Sequence, residues 1–303
     1  MAKSKPVNFY YRIEALAWHA FVGGLGALKL EHASSLGANV LKSIGPLGSA
    51  NTTALRNLRL AFPNETESWR ADVAKATWAS IGRMAGEFPH MAEFVNRLHK
   101  GEVTFGGQEI IERVKQTGAV YIGGHFTNWE VMSLCLAQVD PECFFTYRPA
   151  NNPIIDRYIV ENRRTFGLEL QSAKGRQGGM ALLRALGKKK TVALMNDQKY
   201  NMGLPSPLFG HKCMTADGPT RMALRFKVPL VPLCVRRIEG VRFHVQVYEP
   251  ITLDYESGTD AAVQAGVDSV NRFMEARIRE APEQWFWVHR RWPKEVWREA
   301  GVM

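Results

Sequence analysis

The sequence lacks the features that define several large classes of enzyme. Its 303 residues include only four cysteines, and no two of them have the C-x-x-C spacing typical of zinc clusters and dithiol redox sites. No G-x-S-x-G motif is present, which argues against a serine α/β-hydrolase. A G-x-G-x-x-G turn after a strand is also missing, as is any His/Asp/Glu cluster with metal-ligand spacing. The sequence therefore predicts neither a cofactor nor a metal.

Long apolar runs are scarce as well. The apolar stretch at residues 15–28 is about 14 residues long, short of the roughly 20 needed to span a bilayer. Three glycines interrupt it, and no small-residue cleavage site of a secretory signal follows. Two interpretations stay open for residues 12–30. The segment is either a helix that lies in the membrane surface or partly inserts into it, or an ordinary buried helix.

Acidic residues are outnumbered. There are 39 Lys and Arg residues against 29 Asp and Glu residues, for a formal net charge of +10. Such a balance favours nucleic acid, an anionic membrane surface or an acidic protein as a partner. Charge alone does not choose among these partners, and a solvated basic surface without a special role is an equal alternative.

The pattern of apolar residues predicts one α/β domain over residues 1–303. The first hundred residues show helical periodicity, and short apolar runs then alternate with helical segments. Strands are predicted at residues 103–105, 119–123, 143–147, 168–171, 191–195, 230–236 and 243–247. Helices are predicted between them and at residues 261–279. Such alternation indicates a mostly parallel or mixed sheet covered by helices, after a helical N-terminal portion.

A histidine follows the predicted strand at 119–123. His125 comes after Gly123 and Gly124, which suit a turn that requires unusual backbone angles or close approach, and Glu130 stands five residues further on. A neutral imidazole can take a proton from a hydroxyl if a partner fixes its tautomer. In a continuous helix a spacing of five separates side chains by about 140°, so His125 must precede the helix for the two to meet. The alternative is a chance pairing without function.

Three further residues are candidates for ligand binding. Arg148 follows a predicted strand, at the sheet edge where α/β proteins bind ligands, and is either a phosphate clamp or a surface cation. Asp197 follows the strand at 191–195 and either organises a site or caps a turn. Arg176 lies in a glycine-rich turn that is a weak phosphate-loop candidate.

The segment 124–130 resembles the H-x-x-x-x-[D/E] signature of glycerolipid acyltransferases. More narrowly, the chain is similar to the bacterial lipid A late acyltransferases, the lauroyl/myristoyl transferase family. The further blocks that carry this resemblance occur in the family's order and cover nearly the whole chain. They are residues 57–63, 147–157, 197–198, 207–218 and 281–291.

The resemblance implies a glycerolipid-acyltransferase-like fold and an acyl transfer reaction. His125 would be the general base and Glu130 the carboxylate that orients it. The activated hydroxyl of a lipid A precursor would attack the thioester of an acyl carrier, usually acyl carrier protein, without an acyl-enzyme. Substrate contacts would come from Arg148, Asn128, Arg157, Arg176 and Asp197.

The expected partners are acyl carrier protein, a phosphorylated glycolipid and the cytoplasmic face of the inner membrane, with no nucleic acid. Other acceptors stay open, because related families acylate lysophospholipids or other glycolipids with the same dyad, and coenzyme A is an alternative donor. Two alternatives of another class are a hydrolase that uses the same dyad and a non-catalytic basic membrane-binding protein.

Overall fold

The computed structural model describes residues 8–147, 149–172, 175–257 and 259–303, and for residues 171, 172 and 175–177 it describes the backbone. The N-terminal part is helical. Its helices α1 to α5 are Phe9–Gly26, Leu30–Ile44, Ser49–Ala61, Glu67–Glu87 and Met91–His99. The elements that follow are β1 (Val103–Gly106), α6 (Gln108–Val114), β2 (Val120–Gly123), α7 (Trp129–Val139), β3 (Phe144–Tyr147), α8 (Pro153–Arg164), β4 (Leu170–Ser172), α9 (Gly175–Gly187), β5 (Val192–Met195), β6 (Leu204–Leu208), β7 (His211–Thr215), α10 (Gly218–Phe226), β8 (Leu230–Glu239), β9 (Arg242–Val247), α11 (Asp260–Glu280) and α12 (Lys294–Glu299).

The described strands form a seven-stranded sheet with the order β1-β9-β8-β2-β5-β3-β4. Strands β8 and β9 pair antiparallel, and the other neighbours pair parallel. The predicted α/β class with a mostly parallel sheet is confirmed. In the register of β2 and β5, Gly123 lies opposite Met195, so the carboxyl ends of these two strands stop side by side. This pairing positions the site described below.

Helices α2 and α4 cross at very short range because glycines face each other. A Cβ on Gly37 would lie 2.1 Å from the carbonyl oxygen of Gly82, and a Cβ on Gly82 would lie 2.0 Å from that of Gly37. Any side chain here would force the helices apart. The contact fixes the direction of α4, and therefore the place where α4 ends at Glu87.

The aromatic and basic tail packs into the core. Trp287 is fully buried, and Asn57 of α3 donates from Nδ2 to the carbonyl oxygens of Trp287 and His289, both at 2.8 Å. Arg291 is also fully buried and donates to the Met214 carbonyl and to Thr215 Oγ1 of β7. The tail is thus tied to both the helical portion and the β6–β7 hairpin. All four cysteines are buried and free.

The hairpin of β6 and β7 is not predicted by the sequence pattern. Its first strand contains Pro205 and Pro207, which argue against a strand because proline cannot donate a backbone hydrogen bond. The antiparallel pair forms nonetheless, closed by a tight turn in which Phe209 has φ 53° and Gly210 has φ 75°. A two-stranded sheet has free edges on both sides, and such edges tolerate proline.

The N-terminal helix α1 begins at Phe9, three residues before the predicted segment 12–30. Its buried residues are Ala15, Val22 and Leu25, while its other face exposes Phe9, Tyr10, Ile13, Leu16 and Phe21. Asn152, at the start of α8, donates from Nδ2 to the Tyr11 carbonyl at 2.8 Å and to Glu14 Oε2 at 3.0 Å. Among the helices of the described ranges, none combines the length and the apolar character needed to cross a bilayer.

Candidate active site

His125 lies just beyond the end of β2, in a turn that leads into α7. Gly123 and Gly124 serve close packing here, because a Cβ on Gly123 would lie 2.4 Å from Met132 Cε and one on Gly124 would lie 2.5 Å from Phe126 Cε2. The unusual backbone angle falls on Thr127, with φ 31°, and not on the glycines as expected. Helix α7 then begins at Trp129, and the predicted strand–turn–helix context of His125 is confirmed.

Asp197 is the partner of His125. The carboxylate accepts from His125 Nδ1 at 2.7 Å through Oδ1, and from the backbone N–H of His125 at 2.8 Å through Oδ2. Trp285 donates from Nε1 to the same Oδ2 at 2.9 Å. Both residues follow paired strands by two positions, since His125 comes two after Gly123 and Asp197 two after Met195. The parallel register therefore places them side by side.

Asp197 is ionised despite being almost fully buried. Burial alone would raise its pKa, but the neighbouring His125, together with the hydrogen bonds from His125 and Trp285, lowers the pKa to about 2. An ionised carboxylate at Nδ1 fixes the imidazole proton on that nitrogen and leaves Nε2 with a free lone pair. This is the tautomer that a general base requires.

The predicted hydrogen bond between Glu130 and His125 is wrong. Glu130 lies in the first turn of α7 and faces α8, where Arg163 donates to it from Nε at 2.9 Å and from Nη2 at 2.5 Å. Burial alone would lower the pKa of Arg163, but the Glu130 charge raises it. Glu130 therefore has a buried cation as its partner, and the role of holding His125 belongs to Asp197. Arg163 carries no motif, and the sequence pattern did not single it out.

A groove of about 400 Å³ opens beside His125, whose side chain is part of its lining. Trp129 stands edge-on to the imidazole with a centroid distance of 4.8 Å, and Gln198 Nε2 lies 3.4 Å from His125 Nε2. The groove is lined by His125 and its neighbours, by apolar side chains and by the ion pair of Glu130 and Arg163. It consists of His125, Trp129, Glu130, Ser133, Phe145, Thr146, Tyr147, Arg163, Leu168, Leu170, Met195 and Gln198.

The other candidate residues from the sequence lie outside the groove lining or outside the part of the chain whose side chains the structure describes. Asn128 is fully buried, accepts from the Glu130 N–H as the cap of α7 and donates to Glu87, so it lies outside the groove lining and its substrate contact stays a prediction. Arg157 is exposed on α8, outside the groove lining. Arg148 lies outside the described residues. Arg176 belongs to α9, not to a free loop, and its side chain is likewise outside the described part.

A buried ion pair supports the histidine turn from behind. Glu87 is fully buried at the end of α4, and Arg237 of β8 donates to its two oxygens at 2.6 and 2.9 Å. Ser34 and Asn128 donate to the same carboxylate at 2.7 and 2.8 Å. Arg237 Nε also donates to Thr127 Oγ1 at 3.2 Å. The turn residues 127 and 128 are thus fixed by α4 and β8, an arrangement without any local sequence signal.

The family model and the curated relatives that match this chain agree on one family. The family model described as bacterial lipid A biosynthesis acyltransferase matches residues 7–294. The lipid A biosynthesis lauroyltransferase of Escherichia coli is 28% identical over 245 residues, covering 78% of this chain and 76% of that protein. The palmitoleoyltransferase of the same organism is 27% identical over 261 residues, covering 82% and 80%. A crystal structure of the 1-acyl-sn-glycerophosphate acyltransferase of Thermotoga maritima gives a TM-score of 0.40 at 14% identity, covering 81% of this chain and 99% of that one.

Proposed function

Because the chain belongs to the bacterial lipid A biosynthesis acyltransferase family, and is therefore an acyltransferase, we propose that it transfers a fatty acyl chain from an acyl-carrier thioester to a hydroxyl of a lipid A precursor. The observation that carries the proposal is His125 held by Asp197 at the floor of an open groove. The base has a fixed tautomer, and its imidazole borders space that a substrate can enter.

The chemistry follows from this geometry. His125 Nε2 takes the proton of the acceptor hydroxyl as that oxygen bonds to the thioester carbonyl carbon, and the carbonyl electron pair moves onto oxygen. Asp197 stabilises the imidazolium that forms. When the tetrahedral intermediate collapses, the carbon–sulfur bond breaks and the thiolate takes the proton from Nε2. The products are an ester and a free thiol, and the enzyme returns to its starting state without a covalent intermediate.

The ion pair of Glu130 and Arg163 supplies the charged wall of the groove. Both side chains line it, and both are largely buried. A guanidinium bonded to a carboxylate on one side still presents N–H groups on the other, in a geometry that suits phosphate oxygens. We assign to this pair the contact with an acceptor phosphate or with the phosphopantetheine arm of the carrier.

The net charge of the chain and the exposed apolar face of α1 support the proposed partners. The formal charge of +10 suits an acidic carrier protein, a phosphorylated acceptor and an anionic inner leaflet alike. The exposed apolar face of α1 fits contact with the cytoplasmic face of the inner membrane without a crossing, as an interfacial helix lies. A lipid acceptor would then reach the groove from the membrane surface.

A small apolar cavity behind the groove fits the end of the acyl chain. It has a volume of about 40 Å³, and Ser133, Phe145, Thr146 and Met195 line both spaces. Its other lining residues are Tyr121, Gly123, Met132, Leu136, Ala193, Leu194 and Leu233. From Trp129 in the groove to Leu136 in the cavity, α7 rises roughly 10 Å, which gives an extended alkyl chain a path inward from His125.

Filling this cavity is expected to shorten the preferred acyl chain. The variant Ala193→Met adds side-chain volume to the cavity lining, and each methylene of the substrate that no longer fits lowers kcat/KM about 10- to 200-fold. A mixture of thioester donors of different chain lengths, with the products resolved by mass, measures the preference. Ala265→Met, an exposed alanine on α11, is the matched control. An unchanged preference in Ala193→Met would place the acyl chain elsewhere.

The direct test is a transfer assay with the purified full-length chain. We expect a lipid A precursor to gain the mass of one acyl chain, with release of one thiol, when an acyl-carrier thioester is supplied. Parallel reactions contain acyl-coenzyme A as donor and a lysophospholipid as acceptor, and a reaction without acceptor reports hydrolysis. Free fatty acid without acylated lipid would indicate a hydrolase. No consumption of any thioester would favour a binding protein and contradict the proposal.

A further inference from the structure

The free nitrogen of His125 has one polar neighbour among the described side chains, the amide of Gln198. The distance from Gln198 Nε2 to His125 Nε2 is 3.4 Å, and Gln198 is one of the residues that line the groove. Since Nδ1 keeps its proton and donates it in a hydrogen bond to Asp197, Nε2 is the acceptor nitrogen of the imidazole. The amide must therefore turn its N–H towards Nε2, because the amide oxygen would bring two lone pairs together.

The backbone around Gln198 is held on both sides. Asn196 N–H donates to the Gly123 carbonyl at 2.9 Å, and Lys199 N–H donates to His289 Nε2 at 3.1 Å. Asp197 between them is fixed by His125 and Trp285. The side chain of Gln198 therefore starts from a fixed backbone position, which keeps its amide within reach of charge that develops beside Nε2.

We propose that the side-chain amide of Gln198 is the donor that stabilises the tetrahedral oxyanion during acyl transfer. This inference rests on the proposed function. In the free enzyme the amide covers Nε2 through a long, weak hydrogen bond, which the acceptor hydroxyl replaces when it binds. The carbonyl carbon then joins that hydroxyl oxygen, and its own oxygen comes within reach of the displaced amide. As the carbonyl electron pair moves onto oxygen, the Gln198 N–H groups donate to it; no atom leaves or joins Gln198.

The test replaces the donor by an acceptor of the same shape. Gln198→Glu is expected to lower kcat by on the order of 10²–10³ while the KM for the lipid acceptor changes little, since the lost interaction forms only in the transition state. The new carboxylate beside Nε2 also favours the imidazolium, so the acidic limb of the kcat/KM–pH profile moves to higher pH. The shift of this limb confirms that position 198 lies beside Nε2, while a fall of kcat at unchanged KM distinguishes a transition-state donor from a structural role.

Two further variants complete the experiment. Gln116→Glu makes the same chemical change at an exposed turn and is expected to keep wild-type kinetics. Gln198→Met removes the donor without adding charge, and it decides the question if the Glu variant does not fold. A wild-type protein without transfer activity would refute the proposed function itself. An active wild type, with Gln198→Met retaining kcat within a factor of about 3, would overturn this inference alone.

Discussion

Asp197→Asn is expected to reduce kcat by on the order of 10³–10⁴ with little change in fold, as the loss of an orienting carboxylate does in other histidine-dependent enzymes. The asparagine amide can still occupy the space of the carboxylate. However, it no longer requires the imidazole proton to lie on Nδ1, and it cannot stabilise the imidazolium. His125→Ala is the reference for complete loss of the base. Steady-state kinetics of the three proteins, with thermal unfolding as a check on folding, measure the effect.

The same variant distinguishes Asp197 from Glu130 as the partner of the histidine. A strongly deshielded Nδ1 proton of His125 is expected in the NMR spectrum of the wild type and of Glu130→Gln, and its loss is expected in Asp197→Asn. Loss of this resonance in Glu130→Gln, with retention in Asp197→Asn, would refute the pairing. Asp197 itself remains ionised in mild acid because its pKa is lowered to about 2. A loss of activity as the pH falls from neutrality into the mildly acidic range therefore does not come from protonation of Asp197.

Glu87→Gln is expected to lower the free energy of unfolding by roughly 3–5 kcal/mol. The fully buried carboxylate is the counter-charge of Arg237, and its removal leaves a guanidinium in the interior without a charged partner. Removal of an exposed carboxylate lowers the free energy of unfolding far less. Glu239→Gln, at the exposed end of β8, is therefore the matched control. Chemical denaturation with two spectroscopic probes gives the values.

A double variant separates the ion pair from simple packing. Replacing both Glu87 and Arg237 by Met removes the two buried charges together, and the double variant is expected to be more stable than Glu87→Gln. A double variant whose loss of stability equals the sum of the losses of the two single variants would contradict the account of a coupled pair. Because Arg237 also bonds to Thr127, we expect the single variant to loosen the histidine turn before it unfolds the sheet.

The alternation of strands and helices, and the position of His125, could be predicted because both depend on neighbours in sequence. A buried run followed by Gly123 and Gly124 predicts the end of a strand, and the structure has β2 end at Gly123. The order of strands in the sheet has no such local signal. Asp197 becomes the partner of His125 only because β5 lies next to β2, and a spacing of 72 residues does not show that.

The misassigned role of Glu130 has the same origin. A spacing of five made Glu130 the nearest carboxylate in sequence, whereas the start of α7 turns it towards α8 and Arg163. Glu87 and Arg237 were missed because each looks like an ordinary surface charge in its own helix or strand. Only the glycine contact between α2 and α4, together with the position of β8, brings them into the interior beside Asn128.

The late position of Trp285 in the sequence has a consequence for how this protein folds as it is synthesised. It completes the shell around the Asp197 carboxylate, yet a ribosome makes it 88 residues after Asp197 and still later than His125. Strands β1 to β9 and helices α1 to α11 emerge first, and the segment that carries Trp285 follows α11. Newly made chains therefore pass through a stage in which the Asp197 carboxylate lacks the hydrogen bond from Trp285. The hydrogen-bond shell of this carboxylate is thus completed by one of the last segments to be synthesised.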